Sequence, residues 1–251
     1  MKTFTSIADW KSYRDTLQES PLGFVPTMGA LHEGHLSLVK TSKEQNALTM
    51  VSVFVNPTQF DDKQDFEKYP VESLSDLVLL RDAGVDVVLL PDKTQVYRDD
   101  YRFKVTESEF SQRLCGTHRP GHFDGVLTVV MRLLNLVRPD HAYFGEKDYQ
   151  QLQLIRDMVS AFFMPVKIVA CTTVREADGL AMSSRNQHLD ARNRDKAAEL
   201  YAALKHNHTA VEARQALIKQ GFVVDYVEDI ATRRVAAVRL GSTRLIDNVE
   251  I

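Results

Sequence analysis

Two histidines three residues apart, His32 and His35, stand in Phe24-Val25-Pro26-Thr27-Met28-Gly29-Ala30-Leu31-His32-Glu33-Gly34-His35, where an apolar run gives way to a helical pattern. A helix start presents unpaired backbone N–H groups and the positive end of the helix dipole, and a glycine there lets a phosphate approach the backbone. At i, i+3 spacing the two imidazoles would point the same way. They could then donate hydrogen bonds to a triphosphate and to the charge that builds on it in a transition state. Two plainer readings stand beside this one: a helix N-terminus that carries histidines without using them, and one half of a metal site.

Three further clusters carry residues suited to the same chemistry. Gly145-Glu146-Lys147-Asp148 offers a compact positive charge for phosphate oxygens beside a carboxylate that could accept from a ribose hydroxyl. Met182-Ser183-Ser184-Arg185 supplies two hydroxyls and a guanidinium that could steady a pyrophosphate leaving group. Gln59, in Asn56-Pro57-Thr58-Gln59-Phe60, and Gln151 bring neutral amides that can bond hydroxyls and carboxylates without adding charge. Each cluster alone reads equally as a solvated turn or a cap.

The elements that must hold these groups alternate short apolar runs with helical patterns. Leu22–Val25, Ala47–Val55, Val85–Leu90, His141–Phe144 and Val166–Cys171 read as buried strands, with helices expected over Leu36–Gln45, Glu72–Ala83, Gly125–Val137 and Tyr149–Phe163. Such alternation implies βαβ units: an α/β fold with a Rossmann-like, mainly parallel sheet. From about Arg175 the pattern changes to a polar loop, an Ala-, Lys- and Arg-rich helix and short β-like runs at Phe222–Val227, Val235–Leu240 and Thr243–Asp247. The expected division is a Rossmann-like domain over 1–174 and a smaller, lid-like C-terminal α+β domain over 175–251. Each polar cluster follows the carboxyl end of an expected strand, the edge at which open parallel sheets bind ligands.

Composition excludes several classes. The 251 residues carry 31 Lys and Arg against 34 Asp and Glu, so no basic excess argues for nucleic acid. The opening residues are too polar and acidic for a signal peptide, and no apolar run nears the roughly 20 residues that span a bilayer. No membrane partner is expected, and the cytoplasm is the expected location. Cys115 and Cys171 stand outside any CxxC spacing, as free thiols.

The blocks PTMGALHEGH (26–35), VSVFVNPTQF (51–60), GHFDGVLTVV (121–130), VRPDHAYFGEKDYQQLQLIRDMV (137–159), TVREADGLAMSSRN (173–186) and LGSTRLIDN (240–248) resemble the pantothenate synthetase (pantoate:β-alanine ligase) family of the nucleotidyltransferase superfamily. The HxGH element is superfamily-wide; NPTQF, GEKDYQQ and ADGLAMSSRN are specific to these ligases. The resemblance implies that pantoate attacks the α-phosphorus of Mg-ATP to give pantoyl adenylate, from which β-alanine displaces AMP. It implies an ATP site of Met28, Gly29, Ala30, Leu31, His32, Glu33, Gly34 and His35, with Gly145, Glu146, Lys147 and Asp148, then Val174, Met182, Ser183, Ser184 and Arg185. Within it His35, as proton donor, His32, Lys147, Ser183 and Arg185 would be catalytic. Gln59 and Gln151 would hold pantoate, Gln59 also lying near β-alanine, with Val129 and Val130 against the pantoate dimethyl group or facing the sheet core instead. The cofactor implied is Mg2+, its ligands unassigned, and family members are commonly homodimers.

An acyl adenylate is open to hydrolysis, so a mobile cover is expected, with the polar run Asp61–Tyr69 as the gate. The chain departs from the family pattern between Asp225-Tyr226-Val227 and Leu240-Gly241-Ser242-Thr243-Arg244, which reads as shortened. The runner-up function is another HxGH nucleotidyltransferase, which would have no reason to carry Gln59 and Gln151 in these settings. A metal hydrolase would need ligands beyond His32 and His35; His118 and His122 are the available ones, in a separate Gly- and Pro-rich loop.

Overall fold

The computed structural model describes residues 1–17, 20–61, 66–67, 69 and 73–251. Six strands form the main sheet: β1 (Lys2–Phe4), β2 (Leu22–Thr27), β3 (Leu48–Val53), β4 (Val87–Leu89), β5 (His141–Gly145) and β6 (Lys167–Cys171). Their spatial order is β1-β4-β3-β2-β5-β6. The pairs β1–β4, β4–β3, β3–β2 and β2–β5 are parallel, with Leu22 to Thr27 in register with Leu48 to Val53. β2 and the inner residues of β3, β4 and β5 are almost wholly buried, which is why they read as continuous apolar runs rather than as alternating ones.

The connecting helices include α1 (Ile7–Arg14), α2 (Glu33–Gln45), α3 (Ser73–Asp82), the short α4 (Lys93–Val96) and α5 (Cys115–His118), then α6 (His122–Val137) and α7 (Tyr149–Ala161). α6 is the most apolar, burying eleven residues from His122 to Val137. It begins after Gly121, whose φ of +77° an L side chain adopts at a cost. The core of this part joins Val25, Val51 and Val88 of three neighbouring strands to Val39 of α2 and Leu80 of α3. β1 and α1 were not anticipated. β1 is a three-residue edge strand with two exposed positions, and α1 buries only Ile7 and Trp10, so neither carries an apolar period long enough to read.

The C-terminal part contains α8 (Ala191–Ala197), α9 (Glu199–His206) and α10 (Ala210–Lys219), followed by the antiparallel strands β7 (Val223–Ile230), β8 (Arg233–Leu240) and β9 (Thr243–Glu250) in the order β7-β8-β9. α10 starts in a full capping box: the Thr209 hydroxyl accepts from the Glu212 amide and the Glu212 carboxylate from the Thr209 amide. Such a cap contributes about 1 kcal/mol. In the stretch expected to be shortened, β7 and β8 pair directly, with Ile230 opposite Arg233 and Ala231 and Thr232 in the turn.

The chain divides into two compact units, one of Met1–Leu31, His35–Phe144 and Gln150–Cys171, the other of His32–Gly34, Gly145–Tyr149 and Thr172–Ile251. Cys115 and Cys171 are buried free thiols. No helix among the described residues is long and apolar enough to cross a membrane. The expected gate lies for the most part outside the described residues, which there comprise Asp61, Phe66, Glu67 and Tyr69.

Candidate active site

Strands β2, β3 and β5 are parallel to one another and release the chain at one sheet edge, through Met28, Phe54 and Glu146 respectively. The strand order reverses between β2 and β5, the position where open α/β sheets bind ligands. After β2 the backbone turns through Gly29 (φ +83°) and Ala30 (φ +49°). A Cβ on Gly29 would sit 2.9 Å from a carboxylate oxygen of Asp76, a buried residue of α3. That carboxylate accepts from the amides of Ala30 at 2.9 Å and Leu31 at 2.8 Å. These two amides are therefore engaged inside the protein, because a buried carboxylate must find N–H donors to replace water. His35 follows in the first turn of α2, half-buried.

Gln59 ends a single 3-10 turn, Pro57–Gln59, capped by Asn56. The Tyr97 hydroxyl, whose pKa burial pushes up to about 12, stays protonated and donates to Asn56 Oδ1 at 2.6 Å. With its oxygen so occupied, Asn56 gives its Nδ2 hydrogens to Gln59 Oε1 at 3.0 Å and to the Gly125 carbonyl at 3.2 Å. The side-chain oxygen of Gln59 is thus engaged within the protein, and its NH2 end is the donor that a ligand there would meet. Its backbone carbonyl is held by His122 Nδ1 at 2.8 Å and Arg119 Nη2 at 3.3 Å. His122, considered above as a metal ligand, is instead a brace beneath Gln59.

Gly125 makes this arrangement possible. A Cβ there would collide with the Thr58 carbonyl and stand 2.7 Å from Gln59 Cα, backbone atoms that can yield only by moving the turn. With Gln59 in the substrate-holding role that the resemblance implies, Gly125→Ala should raise the KM for the carboxylate substrate by up to about 10²-fold through misplacement of Gln59, leaving the nucleotide KM unchanged. Initial-rate kinetics with each substrate varied in turn decide this.

The two glutamines at the start of α7 divide their labour. Gln150 is buried and spends its amide on the Cys115 amide and on the Phe110 and Arg113 carbonyls. Gln151, the residue the sequence reading selected, is half-buried. Val129 and Val130 are both buried within α6.

In the second unit, His32 sits just before α2 and its ring lies over Gly34, where a Cβ would stand 2.9 Å from two ring atoms. The glycine of the HxGH element is thus required by its first histidine. Gly34 N–H donates to His32 Nδ1 at 3.1 Å. Burial, and next the Lys147 charge, lower the His32 pKa from 6.5 to about 4, against the opposing pull of Asp148 and Glu176. The ring is therefore neutral near pH 7, and with Nδ1 accepting it carries its proton on Nε2. Between pH 6.5 and 4 the unfolded chain binds the extra proton, so the stability linked to this ring is complete above pH 6.5 and is lost as pH falls towards 4. An NMR titration should place the His32 midpoint near 4, and a midpoint near 6.5 would contradict this burial.

Lys147 stands in a 3-10 turn, Glu146–Asp148, between β5 and α7. The segment read as a polar loop after β6 is a small hairpin: Met182 N–H donates to the Val174 carbonyl, and Arg175 bridges to Ala181. Arg194 braces it through Glu176 and Asp178, both at 2.6 Å. Ser183 caps the 3-10 turn Ser184–His188 by accepting from the Arg185 amide, which leaves its hydroxyl hydrogen to donate.

The sequence-selected residues thus fall into two groups. The first unit holds Met28 to Leu31, His35, Gln59, Val129, Val130 and Gln151; the second holds His32 to Gly34, Gly145 to Asp148, Val174 and Met182 to Arg185. Asp76, Tyr97, Arg119 and His122, which support them, were not selected.

A family model described as pantoate-beta-alanine ligase matches residues 2–250. The chain is 54% identical over 234 residues to a pantothenate synthetase of Bdellovibrio bacteriovorus, covering 93% of each, and 47% identical over 249 residues to one of Coxiella burnetii, covering 99% of this chain and 96% of the relative. Its structure is similar to the crystal structure of the pantoate-beta-alanine ligase of Francisella tularensis complexed with beta-gamma ATP and beta-alanine, with a TM-score of 0.95 and 38% identity over 100% of this chain and 97% of that one. A pantothenate synthetase of Thermus thermophilus gives a TM-score of 0.92 at 40% identity, covering 100% and 99%.

Proposed function

The chain belongs to the pantoate-beta-alanine ligase family, and from that premise we propose how its residues carry out the reaction. The reaction is the ATP-dependent condensation of pantoate with β-alanine to pantothenate through pantoyl adenylate, with release of pyrophosphate and AMP. The observation that carries this reading is the likeness, over the whole chain, to the Francisella ligase complexed with beta-gamma ATP and beta-alanine.

In the first step a pantoate carboxylate oxygen bonds to the α-phosphorus and the bond to pyrophosphate breaks. The carboxylate is already ionised, so the protein's task is alignment and stabilisation of phosphate charge. Lys147 supplies a full positive charge, and neutral His32 supplies an Nε2–H donor without competing with that charge. His35 donates to the transferring phosphate, while Ser183 and Arg185 take the departing pyrophosphate. The NH2 end of Gln59 and the amide of Gln151 bind pantoate, whose dimethyl carbon packs on Val129 and Val130. In the second step the uncharged amine of β-alanine attacks the acyl carbon, AMP leaves with the bonding electron pair, and the amine proton passes to solvent.

Among the described residues no group of three or more His, Cys, Asp or Glu side chains could hold a metal ion. Mg2+, which binds chiefly through phosphate oxygens and water, is written here as part of the nucleotide substrate. We also propose that the protein acts as a homodimer in the cytoplasm.

Pantoate alone should support exchange of labelled pyrophosphate into ATP, and β-alanine should then convert the accumulated adenylate to pantothenate and AMP. An absolute need for β-alanine in the exchange, or ADP as product, would overturn the adenylate route.

A further inference from the structure

Neighbouring residues Asp247 and Asn248 on β9 are both almost wholly buried, at 3% and 2% exposure. Successive side chains on a strand point to opposite faces, so two adjacent buried polar groups need partners on both. Asn248 finds them in the lysine-bearing turn: its Nδ2 donates to the Glu146 carbonyl at 2.8 Å and the Lys147 carbonyl at 3.1 Å. Its Oδ1 accepts from Arg233 Nη1 at 2.9 Å, and Arg233 Nη2 reaches the Glu146 carboxylate at 2.9 Å. Two side chains of the C-terminal sheet thus grip the turn at three points and set the backbone from which Lys147 projects.

Asp247 finds its partner in the hairpin after β6. Arg175 binds it through both terminal nitrogens, at 2.6 and 2.9 Å. The same guanidinium donates to the Gly179 carbonyl and to the Asn248 carbonyl, and lies 3.9 Å from the centre of the Tyr201 ring. Arg175 follows Val174, whose carbonyl pairs with the Met182 amide. Asp247 therefore fixes the hairpin that carries Met182 to Arg185.

We propose that Asp247 and Asn248, with Arg175 and Arg233, are positioning residues for nucleotide use: one dipeptide on β9 fixes the spacing between Lys147 and the 182–185 segment. None of the four is assigned to touch the nucleotide; they act through the backbone that bears the groups that do. The proposal rests on the reading of Lys147 and residues 182–185 as nucleotide-binding.

The test is pyrophosphate exchange and ATP titration on the full chain. Asn248→Ala and Arg233→Gln should each raise the ATP KM about tenfold, the scale of a lost hydrogen bond with its partner left unmet, while the pantoate KM stays unchanged. A merely structural role would lower the active fraction, and with it kcat, without moving the ATP KM. That outcome in both variants overturns the proposal; should Asn248→Ala not fold, Arg233→Gln decides alone. Lys147→Ala separates the two levels. An unchanged ATP KM in Lys147→Ala overturns the nucleotide-binding reading itself, whereas a raised value there beside unmoved values in the other two overturns only the positioning role.

Discussion

Replacing His35 with alanine should slow adenylate formation by about 10²–10³-fold while ATP still binds and the chain still folds. His35 lies half-buried in the first turn of α2, where alanine is a good helix former, so the helix has no reason to unwind. In the proposed role its hydrogen bond strengthens as charge moves onto the transferring phosphate. Its loss therefore falls on the transition state far more than on the ground state. The corresponding rise in barrier is about 2.7–4 kcal/mol. Single-turnover adenylation measured by rapid quench, beside amide formation from synthetic pantoyl adenylate, isolates the step. The preformed adenylate should bypass most of the defect. A variant that melts early and loses both steps in proportion would make His35 a packing residue, and normal adenylation would remove it from the mechanism.

Much of this architecture was legible because burial on both faces writes itself into sequence as continuous apolar runs. β2 to β6 each fall within a few residues of their expected positions, and the chemistry-bearing clusters follow their carboxyl ends. What was hidden is what depends on partners distant in the chain. Asp76 binds the amides of Ala30 and Leu31 across 46 and 45 positions, and Asn248 reaches the carbonyls of Glu146 and Lys147 across 102 and 101. No local period signals such bonds. The protonation of His32 was illegible for the same reason, since it follows from burial and from Lys147, far along the chain. His122, set aside as a metal ligand for its place in a separate loop, has a part that its residue type did not signal: both ring nitrogens are engaged, one with the Gln59 carbonyl and one with Arg119.

His32 is held as a neutral donor over Gly34, beside the lysine whose charge helps to keep it neutral. In the proposed roles, a second cation at that position would compete with Lys147 for the same phosphate oxygens, whereas a neutral N–H adds a directed bond at no electrostatic cost to its neighbour.

Outside the site, Arg234 is a residue whose loss should cost heavily in stability. It lies on β8 at 2% exposure, opposite Asp229 on β7. Its Nε and Nη2 bind the Asp229 carboxylate at 2.7 and 3.0 Å, and its remaining hydrogens go to the carbonyls of Leu204 at 3.2 Å, Asn207 at 2.6 Å and His208 at 3.0 Å. All five guanidinium hydrogens are thereby used. The three carbonyls lie at and just beyond the C-terminal end of α9, where helix geometry leaves them without intrahelical donors. Arg234→Met should destabilise the fold by about 3 kcal/mol, the lower end for a broken buried pair, because Asp229 is itself 35% exposed and can regain water whereas the covered carbonyls cannot. Arg234→Lys should recover only part of this, since an ammonium has three donors and cannot serve the carboxylate and three carbonyls together. Urea unfolding of the three proteins measures both differences. A loss below about 1 kcal/mol in the methionine variant would mean that water reaches the helix end and replaces the guanidinium there.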